Sequence, residues 1–410
     1  MNVTQKLSHG AKALLDGSAA FAHTQALWRF LRNDQIDLPK LAQPLLALAH
    51  EEVPKVCDTY ALVMHDWSRL NFHRHTSKTD KVQMTHATDV GYELQSSLLV
   101  SDRDGQPITA PAQNLVSADG MLQTRHAKVQ SEQAHLDELS ERIAWLEQQE
   151  FGKPLLHIVD READSVAHLR HWSERGCQWL VRVKAGSLVS VDGKSVKPSD
   201  LAPSLNYTQT RAVLYHGQSA IQEVGQAQVV LTRKAKPKKI AANGKRVVPV
   251  PGAPLPVRLV VSRVYLKGRC VAEWFILTNL PASIPAGRIA LWYYYRWNIE
   301  SFFKTLKSAG LQLESWQQET AQAVARRLLI ATQACALAWR LMRQQTAEAD
   351  EARTFLVRLA GRQMKRTRPV TLTALMGGIF SLLTMLEALK HYSIEQLEAF
   401  AQTLLQPQLE

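Results

Sequence analysis

The sequence predicts an α/β protein whose core is interrupted by a β-rich insertion, with helical regions at both ends. Three observations predict it. In the first half, short apolar runs that end in a carboxylate (Thr59–Asp66 and Pro154–Asp160) alternate with helical segments. Residues 186–285 are rich in Val, Thr, Gly and Pro and poor in helical periodicity. From Ala286 onward helical patterning returns and persists.

Taken in order, residues 1 to about 50 read as helical. Ala19–Leu31 is one apolar-rich segment, and Leu38–Ala49 is a second, opened by Pro39, which a first helical turn tolerates. The run to Asp66 reads as a strand ending in that carboxylate. Tyr92–Val100 and Pro107–Pro111 read as strands around Asp102-Arg103-Asp104-Gly105, where Asp-Gly favours a hairpin. Ser131–Gln149 reads as a helix, Pro154–Val159 as a strand delivering Asp160, Ala163–Arg175 as a helix and Gln178–Val183 as a strand. Within the insertion, Ala227–Thr232, Val257–Tyr265 and Val271–Leu277 are strand-like. Helices are expected from Ala286, through Tyr293–Lys307 and from Thr320 to Arg343. Residues 346–410 are helical, with a basic cluster at Arg358, Arg362, Lys365, Arg366 and Arg368.

The composition narrows the partners. A chain of 410 residues with 46% apolar content can bury a large core. Its net charge of +12 favours a polyanion, either nucleic acid or an anionic membrane. The run Arg233–Arg246 holds seven cations and no acid: it suits a solvated loop or a phosphate-contacting arm. The four cysteines are far apart and lack zinc-site spacing, so they are expected to be free, buried thiols of a reducing compartment. Lys6, Lys12 and Asp16 interrupt any signal-peptide core. Leu328–Trp339 is short, and Val370–Leu386 contains Thr, Gly and Ser, so both read as buried helix rather than membrane spans. The cytoplasm is the expected location.

Asp66 and Asp160 are the first candidates for chemistry. Strand ends are where side chains converge on a crevice, and hard divalent cations take carboxylate oxygens. Each Asp alone also fits a strand terminator or a helix cap. Tyr293–Lys307 (YYYRWNIESFFKTLK) is more specific. Read as one helix, it places Tyr293, Arg296, Glu300 and Lys307 within a sector of roughly 60°. Ile299, Phe302, Phe303 and Leu306 lie on another side and would pack on a core. An Arg296–Glu300 ion pair accounts for two of the four polar residues, not for Tyr293 and Lys307.

Tyr293-x2-Arg296-x3-Glu300-x6-Lys307 resembles the signature of bacterial insertion-sequence transposases of the insertion-sequence-four family. Asp160-Arg161-Glu162-Ala163-Asp164 resembles the family's second-aspartate motif, and the segment around Asp66 resembles the first. His65 and Trp67 flank Asp66 where relatives often carry a hydroxyl residue next. Trp28-Arg29-Phe30-Leu31-Arg32-Asn33 is similar to the DNA-end-binding module of hairpin-forming members. The end of the chain shows no clear match to a dimerisation region.

The resemblance implies an RNase H-like core. Asp66, Asp160 and Glu300 would be catalytic and would hold two Mg²⁺ ions, for which Mn²⁺ could substitute. It implies that Tyr293, Arg296 and Lys307 bind DNA phosphates, that Trp274 or Trp297 stacks on a displaced base, and that Arg161, Lys304, Arg233, Lys234, Lys238 and Lys239 add DNA contacts. Trp274 equally suits a strand core. The implied layout is an end-binding module over 1–55, the core over 56–185 and 286–345, a β insertion over 186–285, and a C-terminal region over 346–410 that could dimerise. The implied activity is cleavage at insertion-sequence ends and strand transfer into target DNA by a homodimer on double-stranded DNA, through a hairpin, at the bacterial nucleoid. Alternatives are an RNase H-like nuclease or resolvase without strand transfer, and a catalytically silent DNA-binding derivative. A paired-carboxylate glycosidase is disfavoured by the basic charge and the cations of 293–307.

Overall fold

Helices α1 (Gly17–Arg32) and α2 (Leu38–Val56) lead into the sheet. Asp37 caps α2 by accepting from the Lys40 amide, and Pro39 sits in its first turn as expected. The computed structural model describes residues 17–215, 217–235, 248–307, 311–361 and 370–405. Most of the arm 233–246, with Lys238 and Lys239, and four of the five cations of the C-terminal basic cluster lie outside them.

The first strands form a meander: β1 (Ala61–Asn71), β2 (Val82–Gln83), β3 (Val90–Ser101), β4 (Pro107–Ser117), β5 (Gly120–Gln123) and β6 (His126–Gln130). Gly105, at φ +76°, makes the β3–β4 turn; any Cβ there would strike the ring of Tyr295. Helix α3 (His135–Glu147) then crosses to β7 (Leu155–Val159), and α4 (Val166–Glu174) to β8 (Gln178–Val183). Strand β1 pairs antiparallel with β3 and parallel with β7, which pairs parallel with β8. This is an RNase H-like core. The β7 segment reads LLHIV without polar alternation because both of its faces are covered.

The remaining strands are β9 (Val189–Val191), β10 (Lys194–Val196), β11 (Gln209–Tyr215), β12 (Gln218–Leu231), β13 (Leu255–Leu266) and β14 (Arg269–Thr278), with the short helix α5 (Pro198–Leu201) after β10. They do not make a sheet of their own. β14 pairs antiparallel with β8, Phe275 facing Val183 and Thr278 facing Leu180. Among the described residues all fourteen strands therefore join one sheet, whose main path runs β10-β9-β12-β13-β14-β8-β7-β1-β3-β4-β5-β6.

Side-chain alternation sorts the two faces. Leu62, Met64, Leu156, Ile158 and Leu180 point to a cluster built with α6 (Ala286–Tyr294), α7 (Trp297–Lys307) and α8 (Ala321–Arg343). Their neighbours Val159, Trp179 and Val181 point the other way, against α3 and α4. On that second side Glu138 lies between Arg125 and Arg142, all three side chains at most 1% exposed. Helices α9 (Ala347–Leu359), α10 (Leu372–Ala388) and α11 (Ile394–Leu405) follow α8. Among the described residues no helix is long and apolar enough to cross a membrane.

Three expectations need correction. Asp66 is not the last residue of its strand. β1 runs five residues further because β3 keeps pairing with it, from Asp66 opposite Ser96 to Asn71 opposite Gly91. The segment 293–307 is not one helix but two, broken at Tyr295–Arg296. There the Asn298 amide group donates to both the Tyr295 and Gly105 carbonyls at 2.9 Å. That side chain offers the backbone an alternative to helical bonding. Finally, Cys57, Cys177 and Cys335 are free and buried as expected, whereas Cys270 is exposed at the tight turn between β13 and β14.

Candidate active site

Two strand registers decide where the carboxylates lie. His65 is opposite Val159 in the parallel β1–β7 ladder, and Val159 is opposite Val181 in β7–β8. The next residues along, Asp66, Asp160 and Arg182, therefore fall in one row across three strands. Each is an even step from a neighbour that faces the α6–α8 side (Met64, Ile158, Leu180), so all three project toward that side. β7 stops at Val159, and Asp160 caps the short turn that follows by accepting from the Arg161 amide at 2.7 Å. Asp66 thus sits where the parallel pairing ends, even though its own strand continues.

Helix α7 supplies the third acid. Ile299, Phe302, Phe303 and Leu306 bury its apolar stripe, as the periodicity predicts, and this turns Glu300 toward the two aspartates. Arg296, 6% exposed, lies at the centre. Its Nη1 donates to Asp66 Oδ2 at 2.9 Å, and its Nη2 donates to Glu300 Oε1 at 2.5 Å and lies 3.6 Å from Asp160 Oδ2. The Tyr293 hydroxyl donates to Asp160 Oδ1 at 3.1 Å, and Arg182 Nη1 lies 3.6 Å from the same oxygen. Residues separated by up to 234 positions in the sequence thus meet around one guanidinium.

The site carries more negative than positive charge close at hand. Burial raises the Asp66 and Glu300 carboxyl groups above their ordinary range, against the opposing pull of Arg296. Burial also works against the charge of Arg296, but Tyr293, Asp160, Asp66 and Glu300 more than offset it, and its guanidinium holds its proton more tightly than usual. Tyr293 is pushed upward by burial and by Asp160, so it stays a hydroxyl donor. The acid side chains are 22%, 28% and 37% exposed for Asp66, Asp160 and Glu300, so the trio opens to solvent on one side.

The donor set fits a hard divalent cation. It consists of carboxylates only, and all three already face one shared positive charge. As the side chains stand, no three His, Cys, Asp or Glu groups among the described residues converge closely enough to hold a metal ion. The guanidinium of Arg296 lies between the three acids.

Residues 115–339 match the family model described as Transposase DDE domain, which is more than half of the chain. The chain belongs to this family. The matched region contains Asp160, Arg296 and Glu300 but begins after Asp66, whose place beside them comes from the strand register. No curated protein matches. A solved structure of the piggyBac transposase synaptic complex with hairpin DNA aligns at 9% identity and a TM-score of 0.36, over 86% of this chain and 56% of that one. The aligned region thus spans little more than half the length of that protein.

The other residues singled out in this DDE transposase domain are dispersed. Lys307, at the end of α7, donates to the Arg69 carbonyl and lies 3.7 Å from Glu314, away from the three acids. Trp274 is 7% exposed and packs on the rings of Tyr293 and Tyr294 at 5.9 and 6.4 Å. Trp297 is 46% exposed. Arg161, Lys304 and Lys234 are exposed, and Arg233 is bound to Asp164, four residues after Asp160.

Sequence reasoning missed Arg182, although alternation in QWLVRV signals it once Leu180 is known to face the acids. It also missed a buried chain on the opposite face, where His65 bridges Ser97 and His157 at 2.9 Å each and His157 meets Glu147 at 3.0 Å. Neither histidine has a spacing that would have marked it.

Proposed function

We propose that this chain is a DNA transposase of the insertion-sequence-four type, cutting double-stranded DNA at element ends and joining them to a target. The observation that carries this reading is the single guanidinium of Arg296 tied to Asp66, Asp160 and Glu300. The Tyr293/Arg296/Glu300/Lys307 spacing supports the finer family assignment.

In this reading Asp66, Asp160 and Glu300 hold the divalent cofactor, Mg²⁺ or Mn²⁺, as two ions. When bound, the ions stabilise charge on the attacking and leaving oxygens of an in-line displacement. The chain's own residues do the rest. The Tyr293 hydroxyl and Arg182 orient Asp160, leaving its remaining lone pairs to the site. Arg296 spans the acids, and its planar fork suits a phosphate as it suits the carboxylates. Arg161, Lys304 and Lys234, each exposed, are further candidates for contact with duplex phosphates. Water attacks phosphorus at the element end and releases a 3′ hydroxyl. That hydroxyl then attacks a second phosphodiester, on the opposite strand to give a hairpin or in the target, and displaces the original 3′ oxygen. Bond making equals bond breaking at each step, so no covalent protein nucleophile is needed. Joining two ends calls for a homodimer on DNA. The setting consistent with this chemistry is the bacterial cytoplasm, at the nucleoid.

The decisive experiment incubates the protein with its inverted-repeat DNA, Mg²⁺ and a supercoiled target. Wild type should yield cleaved ends and strand-transfer products. Asp160→Asn should abolish both while retaining end binding. Cleavage without joining would assign the chain to nucleases, and undiminished cleavage by Asp160→Asn would remove Asp160 from the site.

A further inference from the structure

We infer that Arg296 is a built-in counter-cation that excludes divalent ions from the acidic trio until a DNA phosphate draws it away. Metal binding and DNA binding are then positively linked through one side chain. The inference rests on the reading of Asp66, Asp160 and Glu300 as the metal-holding acids.

The guanidinium forks across the trio, with Nη1 on Asp66 and Nη2 between Glu300 and Asp160. These are the oxygens a divalent ion would need. A hard cation requires its ligand oxygens at roughly 2.0–2.6 Å, and a guanidinium between the acids holds them apart. Two cations in one half-buried space also repel each other. Metal entry therefore requires at least Nη2 to leave. The cost of leaving is high where Arg296 stands, because it is 6% exposed and a buried charge stripped of its partners is strongly destabilising.

A phosphate lowers that cost. Its oxygens match the planar fork of Arg as carboxylate oxygens do. The trio opens to solvent along the carboxylate side, where the acids are 22–37% exposed against 8% for Arg296, so a DNA backbone arriving there comes against the acids that hold the guanidinium. Arg182 provides an internal contrast: of the three acids it approaches only Asp160, and it can stay in place while the other two change partners. If phosphate loosens Arg296 and so admits metal, metal must tighten DNA binding by the same factor.

The test measures Mn²⁺ binding to the full chain by electron paramagnetic resonance, with and without a short mixed-sequence DNA duplex. Without DNA, Arg296→Gln should bind Mn²⁺ about tenfold or more tightly than wild type, and Arg182→Gln should change affinity by clearly less. Arg296→Lys, which keeps the charge but lacks the fork, should fall between them and serves if the Gln variant does not fold. Adding duplex should tighten Mn²⁺ binding to wild type by a larger factor than to Arg296→Gln, where only direct phosphate–metal contact remains. Equal Mn²⁺ affinity in wild type and both Arg296 variants overturns the inference, as does a duplex that leaves wild-type affinity unaltered. If Asp160→Asn has no effect on any Mn²⁺ binding, the metal-holding reading itself fails, and the two failures are distinguishable.

Discussion

Tyr293 and Asp160, 133 residues apart, are joined by a 3.1 Å hydrogen bond from phenol to carboxylate. The bond ties the end of α6 to the turn after β7. A hydrogen bond to a charged group contributes about 1.5–3 kcal/mol. Tyr293→Phe keeps the ring packed on Trp274 and removes only the hydroxyl. We expect DNA cleavage to slow by about tenfold or more, with end binding retained and the melting temperature lowered by a few degrees at most. Single-turnover cleavage at saturating protein reads this directly. An unchanged rate would mean that the hydroxyl is not needed to hold Asp160.

The raised carboxyl groups of Asp66 and Glu300 make a pH prediction. Their ordinary values are 3.8 and 4.5, and burial lifts both in the folded chain. A group whose folded pKa exceeds its unfolded one stabilises the fold fully below the unfolded value. That contribution is lost as pH rises through the folded value. The metal-free protein should therefore lose stability as pH climbs above those ordinary values, through the raised ones. Asp66→Asn, which cannot titrate, should show a shallower decline in melting temperature across the same interval. Parallel curves for the two proteins would contradict the assignment.

Trp274 offers a choice between core and base stacking. It is nearly sealed in β14 and leans on Tyr293 and Tyr294. Removing such a side chain costs about 3–5 kcal/mol. Trp274→Ala is expected to lower the denaturant midpoint markedly, whereas Trp297→Ala, at an exposed position, should leave it unchanged. A stable Trp274→Ala protein that fails only in strand opening would reverse this expectation.

Glu138 sits with the guanidinium groups of Arg125 and Arg142 in the interior between β4–β6 and α3. Glu138 is the only carboxylate among the described residues within ion-pair distance of either guanidinium. Glu138→Gln should cost about 3–5 kcal/mol in equilibrium unfolding, because both guanidinium groups lose their counter-charge. A loss well under 1 kcal/mol would place solvent in that interior.

What the sequence made legible was local. The apolar run before Asp160, the strands of 257–277 and the buried stripe of α7 follow from alternation and helical period. These rules act over a few residues. What stayed hidden depends on distant partners. β1 passes Asp66 because β3, some thirty residues later, keeps hydrogen-bonding with it. The break between α6 and α7 is held by Asn298 reaching Gly105 in the β3–β4 turn. Arg182 became visible as a neighbour of Asp160 only once the β7–β8 register was known. The motif residues Arg296 and Glu300 were legible by spacing, but the role of Arg296 as the hub of three acids requires the row formed by Asp66 and Asp160.

The pairing of β14 with β8 means that the inserted segment cannot be cut away cleanly. Strand β8 lies next to β7, whose end carries Asp160, and its other edge is satisfied only by residues that arrive ninety positions later. A trimmed chain lacking 186–285 would expose that edge as bare amides and carbonyls, a template for self-association. Shuffling this insertion between relatives would have to preserve its last strand before anything else.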